Sequence, residues 1–563
     1  GFYSAFMVAD EVHIDTLSYR DGATAVHWEC DGGTQYTIGD GNKTTVGTEI
    51  TLYLNEESVE FANEYRTREV LDKYCSFMPV EIFLSKANAE PEYETIEESE
   101  LRDDDVVIEH IHEDAKTEEK ENENGEKEVV EVSPAKEMVK IQKRPVALND
   151  IHPLWTKHPN ECTEDEYKDF YRKVFMDYKE PLFWIHLNMD YPFNLKGILY
   201  FPKINTEYDS VEGTIKLYNN QVFIADNIKE VIPEFLMLLK GVIDCPDLPL
   251  NVSRSALQND GTVKKISEYI SKKVADKLTG MCKTDRENYE KYWDDISPFI
   301  KYGCIKDAKF YDRIKDCLLF KNLDGKYLTL QDFVAENKKE DTAETAKETE
   351  TTENAENAEE KQKEKTVLFY VTDEVQQSQY INLFKEQGID AVILKHNIDS
   401  AFITHLERQD ETIKFERIDA DVNADMKEEV SEEDLKEEKE TLTDVFRKAL
   451  NNDKLEVKVE KLKNASVSSM IVLSEETRRM QDMMKMYNMY GMDPNMFGGP
   501  ATLVLNANNE LVQYIFNHKD SEHVPMMCEQ LYDLAMLSHK PLAPEEMTKF
   551  ITRSNEIMML LAK

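Results

Sequence analysis

An arginine in a polar loop is the first candidate for chemistry. Arg254 ends the run Asn251-Val252-Ser253-Arg254, which follows one predicted helix and precedes another. Its planar, permanently charged guanidinium suits phosphate oxygens and can stabilise the charge that develops during phosphoryl transfer. Gln258 lies about one turn further along the same helical face, where it can fix the loop. A surface arginine paired with a carboxylate explains the same residues, and for an arbitrary arginine that explanation is favoured.

Two regions near the start of the chain offer groups that suit a nucleotide. Phe2 can pack along the sugar and phosphate end, while the backbone N–H groups beside Gly1 point at phosphate, as helix N-termini do. The hydroxyl of Thr48 both donates and accepts hydrogen bonds, which suits a purine edge. Phe2 can equally well be an ordinary core residue. A threonine at a strand edge is usually there because it favours the strand conformation.

A stripe of methionines is the third candidate. Met480, Met483, Met484 and Tyr487 recur at the spacing i, i+3, i+4, i+7, which places them on one helical face. Unbranched thioethers suit a surface that accepts differently shaped partners. A buried core helix is the alternative, but further methionines nearby and the flexible segment 493–500 favour an exposed segment that binds other proteins. Trp155 is a further candidate for an exposed aromatic contact, although most tryptophans lie in the core.

Length and charge narrow the class of protein. A chain of 563 residues exceeds the about 250–300 residues of a single core, so about three domains are expected. The formal charge of -44 disfavours nucleic acid and anionic membrane partners. No apolar run reaches the roughly 20 residues of a membrane span, and no signal-peptide pattern opens the chain, so a cytoplasmic protein is predicted. Eight scattered cysteines without a Cys-x-x-Cys pair predict free thiols and no metal site.

The pattern of apolar and polar residues predicts the elements that position these groups. Short alternating runs predict an antiparallel sheet over 10–55, followed by a helix over 58–77 and a strand over 80–84. Two acidic tracts contain too few large apolar residues to fold, so 91–140 is predicted to be a disordered linker and 336–365 a surface loop insertion. An apolar strand, a helix and a second strand over 366–394 predict a parallel pair. Two apolar helical stretches, 524–538 and 544–562, end the chain.

Several runs resemble motifs of the heat shock protein 90 family. Gly1-Phe2-Tyr3-Ser4-Ala5-Phe6-Met7-Val8-Ala9 resembles the end of its glycine-rich lid motif, and Gly47-Thr48 resembles the threonine that reaches the adenine. Further matches occur in the family's order along nearly the whole chain: Pro153-Leu154-Trp155-Thr156, Phe201-Pro202, Ile215-Lys216-Leu217-Tyr218, Val222-Phe223-Ile224, Gly241-Val242-Ile243-Asp244, Asp247 to Arg254 and Leu257-Gln258. The chain is therefore identified as a bacterial-type member of this family.

The resemblance implies a multidomain chain of α+β and α/β class. Residues 1–90 would be the C-terminal part of an N-terminal ATPase domain, a partial α/β sandwich of the GHKL type shared with gyrase and histidine kinases. After the linker over 91–140, residues 141–427 would form an α/β middle domain. Residues 428–563 would form a mixed C-terminal dimerisation domain with a helical bundle.

The resemblance also implies an activity: ATP with Mg²⁺ is used to clamp and remodel unfolded or partly folded client proteins. By this resemblance Arg254 and Gln258 are catalytic, and Gly1, Phe2, Thr48 and Arg254 contact the nucleotide. The family's general-base glutamate, its magnesium-binding asparagine and its adenine-reading aspartate have no counterpart here. This exact chain is therefore expected neither to bind nor to hydrolyse ATP, whereas its full-length parent does both. The alternative is an ATP-independent holdase or scaffold that binds clients through the methionine-rich surface.

The end of the chain predicts its partners. The closing apolar helices predict a homodimer through 520–563. The sequence ends without the acidic tail by which eukaryotic relatives recruit tetratricopeptide co-chaperones, and without an endoplasmic reticulum retrieval signal. Both features favour a bacterial-type cytoplasmic member without such co-chaperones.

Overall fold

The computed structural model describes residues 2–121, 127–203, 213–250, 261–337, 365–420, 426–428, 430–431, 433–473, 479 and 501–562, with the side chains of Phe2 and 116–133 left out. The chain divides into two compact units. The first unit comprises Gly1–Pro202, Glu212–Pro233 and Leu239–Glu268, and the second comprises Lys203–Val211, Glu234–Leu238 and Tyr269–Lys563. The domain boundaries predicted at 90, 140 and 427 do not coincide with these divisions and stay predictions. No described helix is both long and apolar enough to cross a membrane.

The first unit begins with the predicted antiparallel sheet. A 3-10 helix, Phe2–Met7, leads into four strands: β1 (Ala9–Leu17), β2 (Val26–Cys30), β3 (Thr37–Asp40) and β4 (Gly47–Leu54). The strand order is β3-β2-β1-β4, and all neighbours are antiparallel. The sequence prediction for 10–55 is confirmed.

The predicted helix over 58–77 is split, and the predicted strand over 80–84 does not form. A 3-10 helix, Glu56–Ala62, precedes helix α1 (Glu64–Cys75). The Asn63 side chain accepts hydrogen bonds from two backbone N–H groups and so starts α1 at a new N-cap. Beyond α1, the Asn149 amide donates to the carbonyl oxygens of Met78 and Val80 and accepts from the Ile82 N–H. A side chain thus takes the place of a neighbouring strand.

Most of the described residues of the tract 91–140 form strands, which the predicted disordered linker would not contain. Strands β5 (Tyr93–Glu97), β6 (Val107–Glu113) and β9 (Lys136–Gln142) form an antiparallel sheet in the order β5-β9-β6, and β7 (Lys116–Glu121) pairs with β8 (Lys127–Ser133).

Several ion pairs between charged side chains lie at this sheet. Val139 and Ile141 are fully buried, but few other apolar side chains join them. Arg144 binds Asp105 through two N–H···O contacts of 2.7 and 2.6 Å, and Lys143 binds Glu92 at 2.7 Å. Lys136 also pairs with Glu97. The disordered linker was predicted from the small number of apolar residues alone. That number takes no account of ion pairs, because opposite charges become neighbours only once strands pair.

A second sheet forms the core of the first unit. Its strands are β10 (Phe183–Met189), β11 (Leu195–Phe201), β12 (Ile215–Asn219), β13 (Val222–Asp226) and β14 (Lys240–Asp244), in the order β10-β11-β14-β12-β13. Helix α2 (Glu164–Phe175) begins at Thr163, which forms a capping box with Glu166. Aromatic side chains of α2, β11 and β12 pack together with Phe77, a residue from the predicted ATPase domain.

The second unit combines helices with a five-stranded mixed sheet. Helix α3 (Gly261–Thr284) begins in the first unit and ends in the second. The helices that follow are α4 (Arg286–Lys306), α5 (Ala308–Ile314), α6 (Leu330–Asn337), α7 (Ser378–Glu386) and α8 (Asp399–Gln409). The strands are β15 (Leu319–Asn322), β16 (Tyr327–Thr329), β17 (Thr366–Val371), β18 (Val392–Ile393) and β19 (Ile413–Arg417). Strands β17 and β18 are parallel, as the strand-helix-strand pattern predicted. The acidic insertion between α6 and β17 lies almost wholly outside the described residues.

Among the described residues, a smaller sheet and four helices end the second unit. Strands β20 (Glu456–Glu460), β21 (Ser469–Val472) and β22 (Thr502–Asn506) share a core with helices α9 (Lys436–Leu450), α10 (Glu510–Asn517), α11 (Val524–Leu537) and α12 (Pro544–Leu561). The two closing helices were predicted from their apolar pattern and are confirmed. Arg553 of α12 binds Glu529 at 2.7 Å, Gln530 at 3.0 Å and also Asp533, which fixes α12 against α11.

Candidate functional site

The base of the Arg254 loop is the best described part of the predicted site. Strand β14 ends at Asp244, and residues 245–250 continue toward the loop. Residues 251–260, with Arg254 and Gln258, lie outside the described residues. The structure therefore shows how the loop is anchored at its N-terminal side, while the roles of Arg254 and Gln258 stay predictions.

Asp244 is buried at this base and is held by neutral donors. The residue is only 6% exposed. Its Oδ2 accepts hydrogen bonds from Trp155 Nε1 at 3.2 Å and from the Gln221 N–H at 3.0 Å. Its Oδ1 has no hydrogen-bond partner among the residues that the structure describes. Burial raises the pKa of Asp244, and the hydrogen bond from Trp155 opposes this shift without cancelling it.

Trp155 is not an exposed contact, so that prediction is wrong. The residue is 1% exposed, and its ring lies 4.7 Å from the ring of Phe77 and 5.2 Å from that of Tyr218. An indole both fills this aromatic core and sends one N–H to a polar partner, which is why a tryptophan suits the position. Its contact with Asp244 makes Trp155 a positioning residue for the loop base.

Further hydrogen bonds fix the segment that follows Asp244. The Asn219 amide donates to the carbonyl oxygens of Cys245 at 3.1 Å and Pro246 at 3.0 Å. The Asp247 carboxylate accepts from the Asn194 N–H at 2.6 Å, and the Cys245 N–H donates to the Tyr218 carbonyl oxygen at 3.1 Å. The chain is thus tied to β12 and to the start of β11 as it approaches the loop.

The turn between β12 and β13 is shaped to reach Asp244. Its two residues, Asn220 and Gln221, have φ values of 50° and 63°, which a two-residue hairpin of type I′ requires. This backbone directs the Gln221 N–H at Asp244, and the Gln221 side chain donates to the Ile151 carbonyl oxygen at 3.3 Å. Left-handed φ values at residues other than glycine are costly, so the surrounding contacts must hold the turn.

Thr48 lies on the exposed edge strand β4, opposite Thr16 of β1. The two hydroxyl oxygens are 2.8 Å apart, and Thr16 also donates to the Gly47 carbonyl oxygen at 3.4 Å. Each hydroxyl keeps further hydrogen-bonding capacity, because the pair is exposed to solvent. The 3-10 helix Phe2–Met7 joins the other end of β1, next to Asn55, whose N–H donates to the Val8 carbonyl oxygen.

The remaining predicted site residues have no described side chain. Gly1, Met480, Met483, Met484 and Tyr487 lie outside the described residues, and only the backbone of Phe2 is described. Their predicted roles stay predictions.

Sequence reasoning missed Asp244, Asn219 and the true position of Trp155. One signal was present: a single carboxylate closes the apolar run Gly241-Val242-Ile243, where strands usually continue with apolar or turn residues. The partners of that carboxylate come from elements far apart in sequence, so they could not be read from spacing.

Comparison with known proteins places this chain in a family. The family model described as Hsp90 protein matches residues 60–373 and 341–563. The chain belongs to the Hsp90 family. Among curated relatives of this Hsp90-family chain, "Chaperone protein htpG" of Bacteroides fragilis (strain YCH46) is 37% identical over 532 residues, which cover 93% of this chain and 68% of the relative. "Chaperone protein HtpG" of Porphyromonas gingivalis (strain ATCC 33277) is 34% identical, with 95% of this chain and 70% of the relative covered.

A more distant match extends over the whole chain. "Chaperone protein HtpG" of Pseudoalteromonas translucida is 26% identical over 574 residues, which cover 100% of this chain and 80% of the relative. The resemblance drawn from the sequence motifs is confirmed: this is a bacterial HtpG-type member of the Hsp90 family, and its curated relatives support a molecular chaperone function. The match to the family model over 60–373 includes the described loop base.

Proposed function

We propose that the complete gene product is an ATP-dependent chaperone that clamps and remodels unfolded or partly folded client proteins. In this proposal Arg254 approaches the terminal phosphate of a nucleotide, with Gln258 supporting the loop. The observation that carries the proposal is the buried Asp244, held by Trp155 and by the turn at Gln221 directly before the loop. A loop on a rigid base can present one side chain to a neighbouring site with little loss of conformational entropy.

The chemistry assigned to Arg254 is electrostatic. During phosphoryl transfer, negative charge spreads over the terminal phosphoryl oxygens and is stabilised by positioned cations and by Mg²⁺ bound with the ATP. A guanidinium makes two parallel N–H···O contacts with such oxygens, so its angle matters as well as its charge. The fixed carbonyl groups of Cys245 and Pro246 help to set the direction in which the chain leaves β14.

The exposed pair Thr16 and Thr48 fits the purine end of the same ligand. Two hydroxyl groups 2.8 Å apart orient one another, since one donates to the other. The lone pairs left on the two hydroxyl oxygens can accept a hydrogen bond from the amino group at an adenine edge. We assign Thr48, Phe2 and Gly1 to the nucleotide on this basis and on the family resemblance.

Steady-state ATP hydrolysis by the complete gene product tests the role of Arg254. We expect R254A to reduce turnover at least about tenfold, because it removes a charge that acts in the transition state. R172A is the matched control, since Arg172 is a half-exposed arginine of α2 that pairs only with Asp169 of the same helix in the described structure. Equal turnover of R254A and R172A would leave the holdase as the function.

We also propose that the chain forms a homodimer through 520–563. On α12, five apolar side chains remain 44–84% exposed in the single chain: Ile551, Met558, Met559, Leu560 and Leu561. Arg553 of the same helix holds α12 against α11. Apolar side chains gathered at one helix end are typical of a surface that a second copy covers.

Sedimentation of the chain over a range of concentrations tests this dimer. I551E/M558E introduces four like charges per dimer at the apolar surface, so we expect the dissociation constant to rise at least about tenfold. Y178E/V375E is the control, because those two side chains are 88% and 86% exposed at separate places. A dissociation constant that changes equally in both variants would exclude α12 from the interface.

The methionine stripe is proposed as a client-binding segment on its sequence pattern. The triple variant M480S/M483S/M484S removes three thioethers and should weaken suppression of aggregation of a heat-denatured enzyme, followed by light scattering. Unchanged suppression, with the variant still folded by circular dichroism, would remove this segment from the client surface.

A further inference from the structure

Strands β1 and β2 bring two histidines and three carboxylates to one face of the first sheet. His13 lies opposite Glu29, and Asp15 lies opposite His27, in the antiparallel register of the two strands. Alternate residues of a strand point to the same side, so Glu11 joins His13 and Asp15 on this face. The cluster is thus a direct result of the pairing register, and residues 13 and 27 are too far apart in sequence to indicate it.

Three ligand atoms of this cluster converge. Glu29 Oε2 lies 3.6 Å from His27 Nε2 and 3.8 Å from His13 Nε2. All three lie within 4.8 Å of one another. Bond lengths of about 2.0–2.2 Å from tetrahedral Zn²⁺ to nitrogen and oxygen place ligand atoms about 3.4 Å apart. Small side-chain rotations therefore suffice to close these atoms around one ion.

The imidazole of His27 is already oriented for this purpose. Its Nδ1 is 2.8 Å from Asp15 Oδ1, so Nδ1 carries the proton in the neutral ring and Nε2 is left as the atom with the lone pair. A carboxylate behind a histidine is the usual second partner of a metal-bound imidazole, because it fixes the ring and increases its basicity.

We propose that His13, His27 and Glu29 form a binding site for Zn²⁺. Two imidazole nitrogens and one carboxylate are a ligand set that zinc accepts, with water in the fourth position. Asp15 acts as the positioning residue for His27. The side chains are 21%, 31% and 39% exposed, so an ion can reach them without opening the fold.

One existing contact would change when the ion binds. His13 Nε2 is 2.9 Å from Glu11 Oε1, and this hydrogen bond gives way to the metal–nitrogen bond. Glu11 is then free to accept a hydrogen bond from the zinc-bound water. The ring of Tyr53 on β4, 4.8 Å from that of His13, limits how far His13 can turn away.

A polar sheet face that needs no ion is the competing explanation. Both histidines have a carboxylate partner without any metal, and such pairs occur on ordinary exposed sheets. The two explanations differ in one respect: only a metal site requires Glu29 and both Nε2 atoms together. The affinity of matched variants for Zn²⁺ therefore decides between the two explanations.

The experiment is titration of the full chain with ZnCl₂ by calorimetry, with cysteines reduced and excess Mg²⁺ present to occupy the acidic tracts. We expect one equivalent of Zn²⁺ at micromolar protein concentration. H13Q/H27Q and E29Q should each bind at least tenfold more weakly, and D15N about tenfold more weakly, as expected for the partner of a metal-bound histidine. H152Q/H518Q is the control, because it also removes two histidines but leaves the cluster intact and should bind as the unaltered chain does.

X-ray absorption of the zinc-loaded chain gives a second readout. Nitrogen and oxygen neighbours alone support the site, whereas sulfur at about 2.3 Å would mean that cysteines hold the ion. The proposal is overturned by that result, by absence of stoichiometric binding, or by H13Q/H27Q binding as tightly as H152Q/H518Q. Circular dichroism of each variant shows that a loss of binding is not a loss of fold.

Discussion

Asp244 and Asp399 are both buried carboxylates, but they are satisfied in opposite ways. In the first unit, Asp244 has only neutral donors, from Trp155 and Gln221, and one of its oxygens has no partner among the described residues. In the second unit, Asp399 at the start of α8 pairs with Lys301 of α4, and its Oδ2 also accepts the His396 N–H at 2.9 Å. The side chains of Lys301 and Asp399 are 4% and 5% exposed.

The two carboxylates therefore differ in role: Asp399 joins two helices, whereas Asp244 positions the chain that follows it. Attraction between Lys301 and Asp399 offsets their loss of water, so this pair joins two helices at little net cost. Asp244 has no ion pair in the described structure and only a weaker attraction from Lys196, so burial of its charged form opposes folding. Its hydrogen bonds hold the end of β14, from which the chain leads on to Arg254.

The largest expected effect comes from breaking the compensated pair. K301M leaves Asp399 buried without its cation, so the free energy that protects α4 and α8 against opening should fall by about 3–5 kcal/mol. Hydrogen exchange of peptides from these helices measures it. K306M is the control, since the Lys306 side chain is half exposed and its Nζ makes a long ion-pair contact, 4.0 Å, with Glu234. The double variant K301M/D399N should recover part of the loss, and equal exchange in K301M and K306M would contradict the comparison.

An intermediate effect is expected from W155F. This change keeps an aromatic ring but removes the N–H that Asp244 accepts, and a hydrogen bond to a charged group contributes about 1.5–3 kcal/mol. Exchange should therefore become faster in the segment 245–250. W184F is the matched control: Trp184 stacks on Tyr167 at 4.9 Å in the same unit but does not contact the loop base. If both variants change the exchange of 245–250 equally, the effect is one of packing and Trp155 does not position the loop.

The smallest effect is a pH dependence at Asp244. Because its pKa in the folded chain is raised above 3.8, the folded state binds a proton that the unfolded state has already lost. The destabilisation by the buried charge is complete above the folded pKa and disappears as the pH falls toward 3.8. The stability of the unaltered chain relative to D244N should therefore increase as the pH is lowered through this range, measured as exchange protection of β14. A difference that stays constant with pH would show that the carboxyl group titrates as it does in the unfolded chain.

Most of the strands and helices could be predicted where apolar residues recur with one period. The alternating runs over 10–55 and the apolar turns of the closing helices are examples, because burial of one face depends only on local spacing. Motif resemblance likewise identified the family before any geometry was known. The strand predicted over 80–84 failed for a different reason: the Asn149 side chain, distant in sequence, occupies the hydrogen-bonding groups of that segment.

The candidate site could be predicted only in part. The roles of Arg254 and Thr48 were predicted from motifs and stay predictions, whereas the contact of Trp155 with Asp244 joins residues 89 positions apart. Tryptophan is common both in cores and at exposed contact surfaces, so its type alone could not decide where it lies. The cluster of His13, His27 and Glu29 was missed because it depends on strand register, which sequence spacing does not give.

The sheet of β5, β9 and β6 is expected to make part of the chain sensitive to salt. Its strands are joined by ion pairs such as Arg144 with Asp105 and Lys143 with Glu92, around only two fully buried apolar side chains. Dissolved ions shorten the range of such attractions, but they leave apolar burial intact. Ionic strength should therefore loosen this segment while the aromatic core around Tyr218 is unaffected, so the salt concentration acts as a selective control on one part of the first unit.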